Sequence, residues 1–349
     1  MNKDIDRLMN EAVNDGAFPG ANICIIANGK TSFQTYGLKA KFPEEEVNNL
    51  DTLYDMASCS KVISTTSCIL LLMEQGKLRL FEPVRNILEN FSMENVTVWD
   101  LLTHTSGLPE GLKGSHTMTK EQIIDGIMNL QPVYEKNSKI VYSDLGFILL
   151  GLIVEKISGM TLDAFSKKYL FEPLEMYDTG YNPTDVKRCA PTEDRGGYID
   201  RGYVHDEVAH IMGGVAGHAG LFSTIENVSH FLEMVLNEGV YKGKKILSKA
   251  TIELMFTPQV EDVNKISVNN EKRSVGWIVK GPYPCSGDLA SNETIMHTGF
   301  TGTHVVIDRK NKVAFSVLSN RVHPTRKNNK TISFRSRLGN YIFSHLEEM

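Results

Sequence analysis

Residues 21–36, ANICIIANGKTSFQTY, decide how the chain begins to fold. Ala21–Ala27 is a short apolar run rich in isoleucine, Asn28-Gly29 is a two-residue hairpin signal, and Lys30–Tyr36 can return as the paired strand. Upstream, Ile5, Leu8, Met9, Ala12 and Val13 recur at helical spacing and stop before Gly16. Downstream, Ser58–Gln75 carries Val62, Ile63, Thr66, Ile69, Leu70 and Met73 on one helical face, with Gly76 as its stop. From there to about Thr224 the pattern is mainly helical, broken by proline and glycine. Thr97-Val98-Trp99-Asp100 has the form of a capping box, and Leu145–Ile157 ends before Gly159. Glu226–Glu238 and Ser248–Met255 predict two further helices.

After Ser274 the period changes. Val275–Lys280, Thr294–His297, His304–Asp308 and Val313–Leu318 are short β-rich segments separated by turns. A last helix places Leu338, Ile342 and Leu346 on one stripe. Strands at both ends with helices between predict an α+β fold: an antiparallel sheet built from both chain ends and flanked by helices, plus an inserted, mainly helical domain. The expected division is 1–75 with 225–349 for the sheet domain and 76–224 for the insert, with a cleft between them.

Composition narrows the function classes. The 349 residues include 37 basic and 42 acidic side chains, a formal net charge of -5, with 41% hydrophobic residues. That excludes disorder, collagen-like repeats and a basic nucleic-acid binder; the basic run from Arg309 to Lys330 reads as a solvated hairpin and loop. No apolar run approaches a membrane span, the richest being Leu145–Val154. The N-terminus lacks the apolar stretch of a signal peptide. Five scattered cysteines without a Cys-x-x-Cys pair favour free thiols in a reducing compartment. A cytoplasmic protein is therefore expected, with secretion open if a signal peptide was removed upstream.

Ser58-Cys59-Ser60-Lys61 is a Ser-x-x-Lys at a predicted helix N-terminus. Three residues apart on a helix, the hydroxyl and the amine share a face, and the first-turn N–H groups favour a developing oxyanion. Tyr142-Ser143-Asp144 precedes the Leu145 helix, and His297-Thr298-Gly299 ends a predicted strand. In this order the three elements resemble the Ser-x-x-Lys, Tyr-x-Asn and Lys-Thr-Gly motifs of serine β-lactamases and penicillin-binding proteins. Leu102–Leu108, LTHTSGL, is similar to a segment of the class C branch, which includes esterases and D-amino-acid peptidases. The resemblance covers nearly the whole chain and implies the same α+β fold. No Gly-x-Ser-x-Gly elbow, phosphate loop or dinucleotide fingerprint occurs, which disfavours the α/β-hydrolase alternative.

The resemblance implies that Ser58 is the nucleophile of an acyl-enzyme, with Lys61 and Tyr142 sharing the base function. It implies an oxyanion hole from the N–H groups of Ser58 and Phe300. Asp144, His297, Thr298 and Gly299 would support the base network and the substrate. An unshifted lysine would need roughly 4.6 kcal/mol to lose its proton at pH 7, and an unshifted tyrosine about 4 kcal/mol. General-base help is worth only ~10²–10⁴ in rate, so the two must work as one coupled pair in contact.

Two residues depart from the family pattern. Asp144 replaces an amide donor by a carboxylate, which can pair with Lys61, raise its pKa and so favour Tyr142 as base. His297 replaces a permanent cation by a group expected to titrate near 6.5. Both weaken the case for penicillin as natural substrate.

Ala190–Glu193, Val204–Glu207 and Gly213–Gly220 form a Gly- and His-rich stretch. It resembles a subgroup that includes bacterial N-acetylmuramoyl-L-alanine amidases. Two readings stay open for it: a recognition rim, or a structural loop network with Asp206 and Glu207 as caps. His205, His210 and His218 match no zinc spacing, so no metal and no cofactor is expected. Arg321 could pair with a substrate carboxylate, although a surface turn is the simpler reading.

The expected function is a cofactor-free serine hydrolase of this superfamily. It would cleave a small amide or ester through Ser58, with a small-molecule partner such as a peptide, muropeptide, ester or β-lactam. The alternative is a β-lactamase, or a penicillin-binding sensor or carboxypeptidase that acylates and turns over slowly.

Overall fold

The computed structural model describes residues 3–261, 272–280 and 284–349. Helix α1 (Lys3–Asn14) leads into strands β1 (Gly20–Ala27) and β2 (Lys30–Ala40), followed by the short edge strand β3 (Glu46–Val47). Asn28 and Gly29 both take positive φ, as the tight hairpin turn requires. Near the other end lie β4 (Val260–Glu261), β5 (Lys272–Arg273), β6 (Ile278–Val279), β7 (Thr294–Thr298), β8 (His304–Asp308) and β9 (Val313–Ser319). The nine form one antiparallel sheet in the order β3-β2-β1-β9-β8-β7-β6-β5-β4. The two chain ends meet at its centre, where Ala21 pairs with Ser319 and Ile26 with Ala314.

The sheet is covered on both faces, so β1 is buried along its whole length. Its residues alternate between two cores: Ala21, Ile23 and Ile25 pack with α1 and with α6 (Thr331–Ser344), whereas Cys24 and Ile26 face the other side. That second core also holds α2 (Ser67–Glu74), α3 (Asp144–Ser158), α4 (Ile225–Leu236) and α5 (Lys249–Phe256), and it runs without a break through the 76–224 region. The capping box is present: Thr97 and Asp100 each bond the other's backbone N–H. Ser143 caps α3, and Gly159 ends it at positive φ.

Several expectations need correction. Val275–Lys280 is not a continuous strand, because Gly276 turns at positive φ where the chain crosses Thr66; only Ile278–Val279 pairs. Leu346 lies beyond the last helix, in a short 3₁₀ turn. Between Glu172 and Asp206 the mainly helical reading fails, since that stretch is mostly loop. A second small sheet, Tyr54–Asp55 with Leu221–Ser223 and Gly180–Tyr181, had no signal long enough to read.

Candidate active site

Ser58 follows a strained turn. Ala57 sits at φ 45, in the left-handed region, where a β-carbon costs roughly 1–2 kcal/mol. The buried Asp55 carboxylate holds it there, with Oδ1 accepting from Ala57 N–H at 2.8 Å and Oδ2 from His205 N–H at 2.7 Å. The chain then enters a helix whose first part, Lys61–Thr66, is wound as a π-helix, a rare form found mainly at functional sites. Ser58 itself is only half-buried, while the helix behind it is sealed on every face. Residues 181–221 satisfy Ser60, Thr65 and Ser64: Leu221 N–H donates to Ser60 Oγ, Thr65 Oγ1 to Gly217 O, and Tyr181 Oη to Ser64 Oγ.

Lys61 is fully buried, and its Nζ lies 3.0 Å from Ser58 Oγ, 3.0 Å from His218 O and 2.7 Å from Asp144 Oδ1. Burial favours the neutral amine, but the Asp144 carboxylate and then Tyr142 outweigh it, so the lysine pKa is raised and the ammonium persists. The ammonium then has Ser58 Oγ, His218 O and Asp144 Oδ1 as acceptors, with the Tyr142 oxygen as a further partner. Ser58 Oγ accepts from the lysine, which leaves its own proton for another partner. The Tyr142 ring centroid lies 4.8 Å from Lys61 Nζ. Burial raises the phenol pKa; the Lys61 charge pulls it down and Asp144 pushes it up, while hydrogen bonds from Lys61 and Ser58 stabilise the phenolate. The serine proton is thereby directed to Tyr142.

Tyr142 is held by the LTHTSGL segment, whose role was not legible in the sequence. His104 stands at φ 59, with its carbonyl accepting from Val141 N–H at 2.9 Å and its Nδ1 from Ser143 N–H at 3.0 Å. It thus grips the backbone on both sides of Tyr142, with its ring 4.8 Å from the phenol ring. Gly217 does the equivalent for Lys61. A β-carbon there would collide with Phe147 O, so only glycine lets the 217–218 backbone approach α3 and aim His218 O at the ammonium.

The two N–H groups that the resemblance assigns to an oxyanion hole come from distant segments. Among the described residues, neither Ser58 N–H nor Phe300 N–H has an acceptor within the protein. Thr301 Oγ1 donates to Asp55 O at 2.7 Å and Thr303 Oγ1 to Met56 O at 3.0 Å. Gly299 passes so close to Met56 O that any side chain would clash. These contacts tie the 299–303 turn to the segment that leads into Ser58.

Other expected residues stand differently. His297 is buried, and Nδ1 must carry its proton to donate to Thr298 O at 3.0 Å; burial, then Arg273 and Lys61, push its pKa well below 6.5. It is therefore a neutral ring against Tyr142, and the expectation that it titrates near 6.5 is overturned. Thr298 closes the same strand, half-buried. Arg321 is not on a surface turn: it is buried, donates to the carbonyls of Arg326 and Asn328, and packs over the Phe300 ring at 4.6 Å.

The Gly- and His-rich stretch is largely a loop network. Asp206 caps Glu207–Ile211 and bonds His218 Nε2 at 2.8 Å. Glu193 binds His205 Nε2 at 3.0 Å and Arg326 Nε at 2.6 Å, while Glu207 joins Arg195 and Arg326. His205 in turn stacks on Phe300. Among the described residues no three His, Cys, Asp or Glu side chains are grouped to hold a metal ion.

The fold and the side chains gathered at Ser58 define a class: a two-ended antiparallel sheet with a serine–lysine–tyrosine cluster at the head of a buried helix. The Beta-lactamase family model matches residues 5–336. An N-acetylmuramyl-L-alanine amidase of Bacillus subtilis (strain 168) is 30% identical, over 92% of this chain and 81% of its own. An Escherichia coli (strain K12) protein, provisionally named a D-alanyl-D-alanine carboxypeptidase, is 30% identical over 91% of this chain and 82% of its own. The solved structure of EstCE1, a hydrolase with promiscuous acyltransferase activity, shares the fold with TM-score 0.80 at 19% identity, covering 98% of each chain. The chain belongs to the beta-lactamase family and is a serine hydrolase.

Proposed function

We propose that the protein cleaves an amide bond in a small cell-wall-derived peptide or muropeptide through an acyl-enzyme on Ser58. The observation that carries this is the Ser58–Lys61–Asp144 chain of contacts, with Tyr142 beside it. The relative named as an N-acetylmuramyl-L-alanine amidase supports the substrate class. Five buried, unpaired thiols are in keeping with residence in a reducing compartment.

The working state has one proton fewer on the Lys61/Tyr142 pair than the resting state. Tyr142, as phenolate beside the lysine ammonium, takes the Ser58 proton as Oγ attacks the substrate carbonyl. The N–H groups of Ser58 and Phe300 receive the oxyanion. Collapse of the tetrahedral intermediate passes the proton from Tyr142 to the departing amine and leaves an ester on Ser58. Water then attacks that ester with Tyr142 as base, releasing the acid and restoring the serine.

Intact-protein mass spectrometry after exposure to muropeptides, D-amino-acid amides, β-lactams and a chromogenic ester tests the reading. A transient adduct on wild type, absent from Ser58→Ala, with continued turnover of a muropeptide is expected. Equal hydrolysis by Ser58→Ala would refute it. A stoichiometric burst with no steady state would favour a covalent sensor instead.

A further inference from the structure

Among the described residues, only one of the two Asp144 side-chain oxygens is engaged. Oδ1 meets Lys61 Nζ; among the described residues no donor reaches Oδ2, and the side chain is 38% exposed. Ser58 Oγ and Asp144 Oδ1 both touch Lys61 Nζ, so they lie within roughly 6 Å of each other. A group that meets Asp144 is thus only a few bonds from the carbonyl under attack. Of the cationic side chains nearby, Lys61 is paired with Asp144 Oδ1 and donates to Ser58 Oγ and His218 O, Arg273 packs over the Tyr142 ring at 5.3 Å, and Arg321 donates to backbone carbonyls; His297 is neutral, with Nε2 sealed from solvent. Asp206, close enough for its charge to interact with Lys61, adds a second partly open carboxylate.

An ionised carboxylate accepts hydrogen bonds and cannot donate them. We infer that the free edge of Asp144 selects substrates bearing an N–H donor, ammonium or amide, within a few bonds of the scissile carbonyl on the acyl side. The inference rests on the Ser58 hydrolase reading and adds the chemistry of the acyl group. Substrates that offer only a carbonyl or a carboxylate at this position leave Asp144 without a partner and place like charge or lone pairs against it.

The test compares three 4-nitroanilides that differ at one atom set: 2-aminopropionyl, 2-acetamidopropionyl and 2-methoxypropionyl. Wild type should favour a donor-bearing compound over the methoxy compound by about tenfold or more in kcat/KM, the scale of a hydrogen bond to a charged group. In Asp144→Asn the outward edge becomes an amide donor, and the preference should fall to about twofold or invert. Which donor wins in wild type separates an ammonium from an amide ligand. An unchanged preference in Asp144→Asn overturns the inference, as does a wild type that prefers the methoxy compound.

Because Asp144→Asn also alters Lys61, a binding measurement accompanies the kinetics. Calorimetry of 2-aminopropionamide, 2-acetamidopropionamide and 2-methoxypropionamide uses Ser58→Ala with and without Asp144→Asn. The donor preference must appear in the first protein and vanish in the second. If the anilides and a reactive ester all fail to acylate Ser58 in wild type, the hydrolase reading itself fails and takes the inference with it. Acylation without donor preference sinks the inference alone.

Discussion

Two polar networks meet the turn that carries Ser58, and they are built on opposite rules. Around Glu193, Arg195, Glu207 and Arg326, carboxylates and guanidiniums saturate one another, and His205 is tied to Glu193. Around Lys61, Tyr142 and Asp144 the groups are crowded yet incompletely matched. The N–H groups of Ser58 and Phe300 lack acceptors, Asp144 keeps an open edge, and the buried Nε2 atoms of His104 and His297 have no partner among the described residues. A saturated network fixes shape; an unsaturated one holds capacity for a ligand or a moving proton. The second network is therefore where substitutions should act on rate, and the first where they should act on stability.

The largest effect is expected within the unsaturated network. Lys61→Ala and Tyr142→Phe should each lower kcat/KM by ~10²–10⁴, and the double variant should fall far short of the product of the single losses. Multiplicative losses, measured with a chromogenic ester, would show two independent groups instead of one coupled pair.

The pH profile sharpens the same contrast. With the Tyr142 pKa raised, the phenolate is scarce at neutral pH, so kcat/KM should climb steadily from pH 6 into the alkaline range. His297, held well below 6.5, should add no inflection between pH 6 and 8. In Asp144→Asn the lysine loses the carboxylate that raises its pKa, so the rise should begin at lower pH. A profile of the variant that overlays wild type would break the link between Asp144 and the base.

Thr301→Val removes one of the bonds that hold Phe300 against the nucleophile turn. It should cost about tenfold in kcat with KM little changed, since oxyanion contacts act in the transition state. A change confined to KM would assign the threonine to substrate binding.

The smallest catalytic effect belongs to the saturated side. Glu193→Ala should reduce stability by about 1–3 kcal/mol while leaving kcat within a fewfold of wild type. Burial pushes the Glu193 pKa up, but bonds from Arg326 and His205 win and hold it below the usual carboxylate value. Its stabilising contribution is thus present above pH 4.5 and lost as pH falls through the lowered value, so the wild-type advantage over Glu193→Ala in thermal melts should shrink on acidification. A rate collapse at unchanged stability would place this network in the chemistry.

Much of the fold was legible because burial imposes period. The alternation in Ala21–Ala27 sorts onto two cores, and the Asn28-Gly29 turn needs backbone angles that few residues accept. Ser58, Lys61, Tyr142 and Asp144 were legible because each contributes a particular side chain. Asp55, His104, Gly217, Thr301 and Thr303 were not, because each acts on the site through backbone groups or close approach. A carbonyl carries no residue identity, and its partner can lie anywhere along the chain.

The amino-acid sequence alone settled which functional groups are available and which segments alternate as strands or recur as helices, since local spacing and side-chain chemistry suffice for that. The charge each group carries was decided by the tertiary structure. Lys61 stays an ammonium and His297 a neutral ring because burial and charges from remote segments act on them together, and no local pattern encodes that sum.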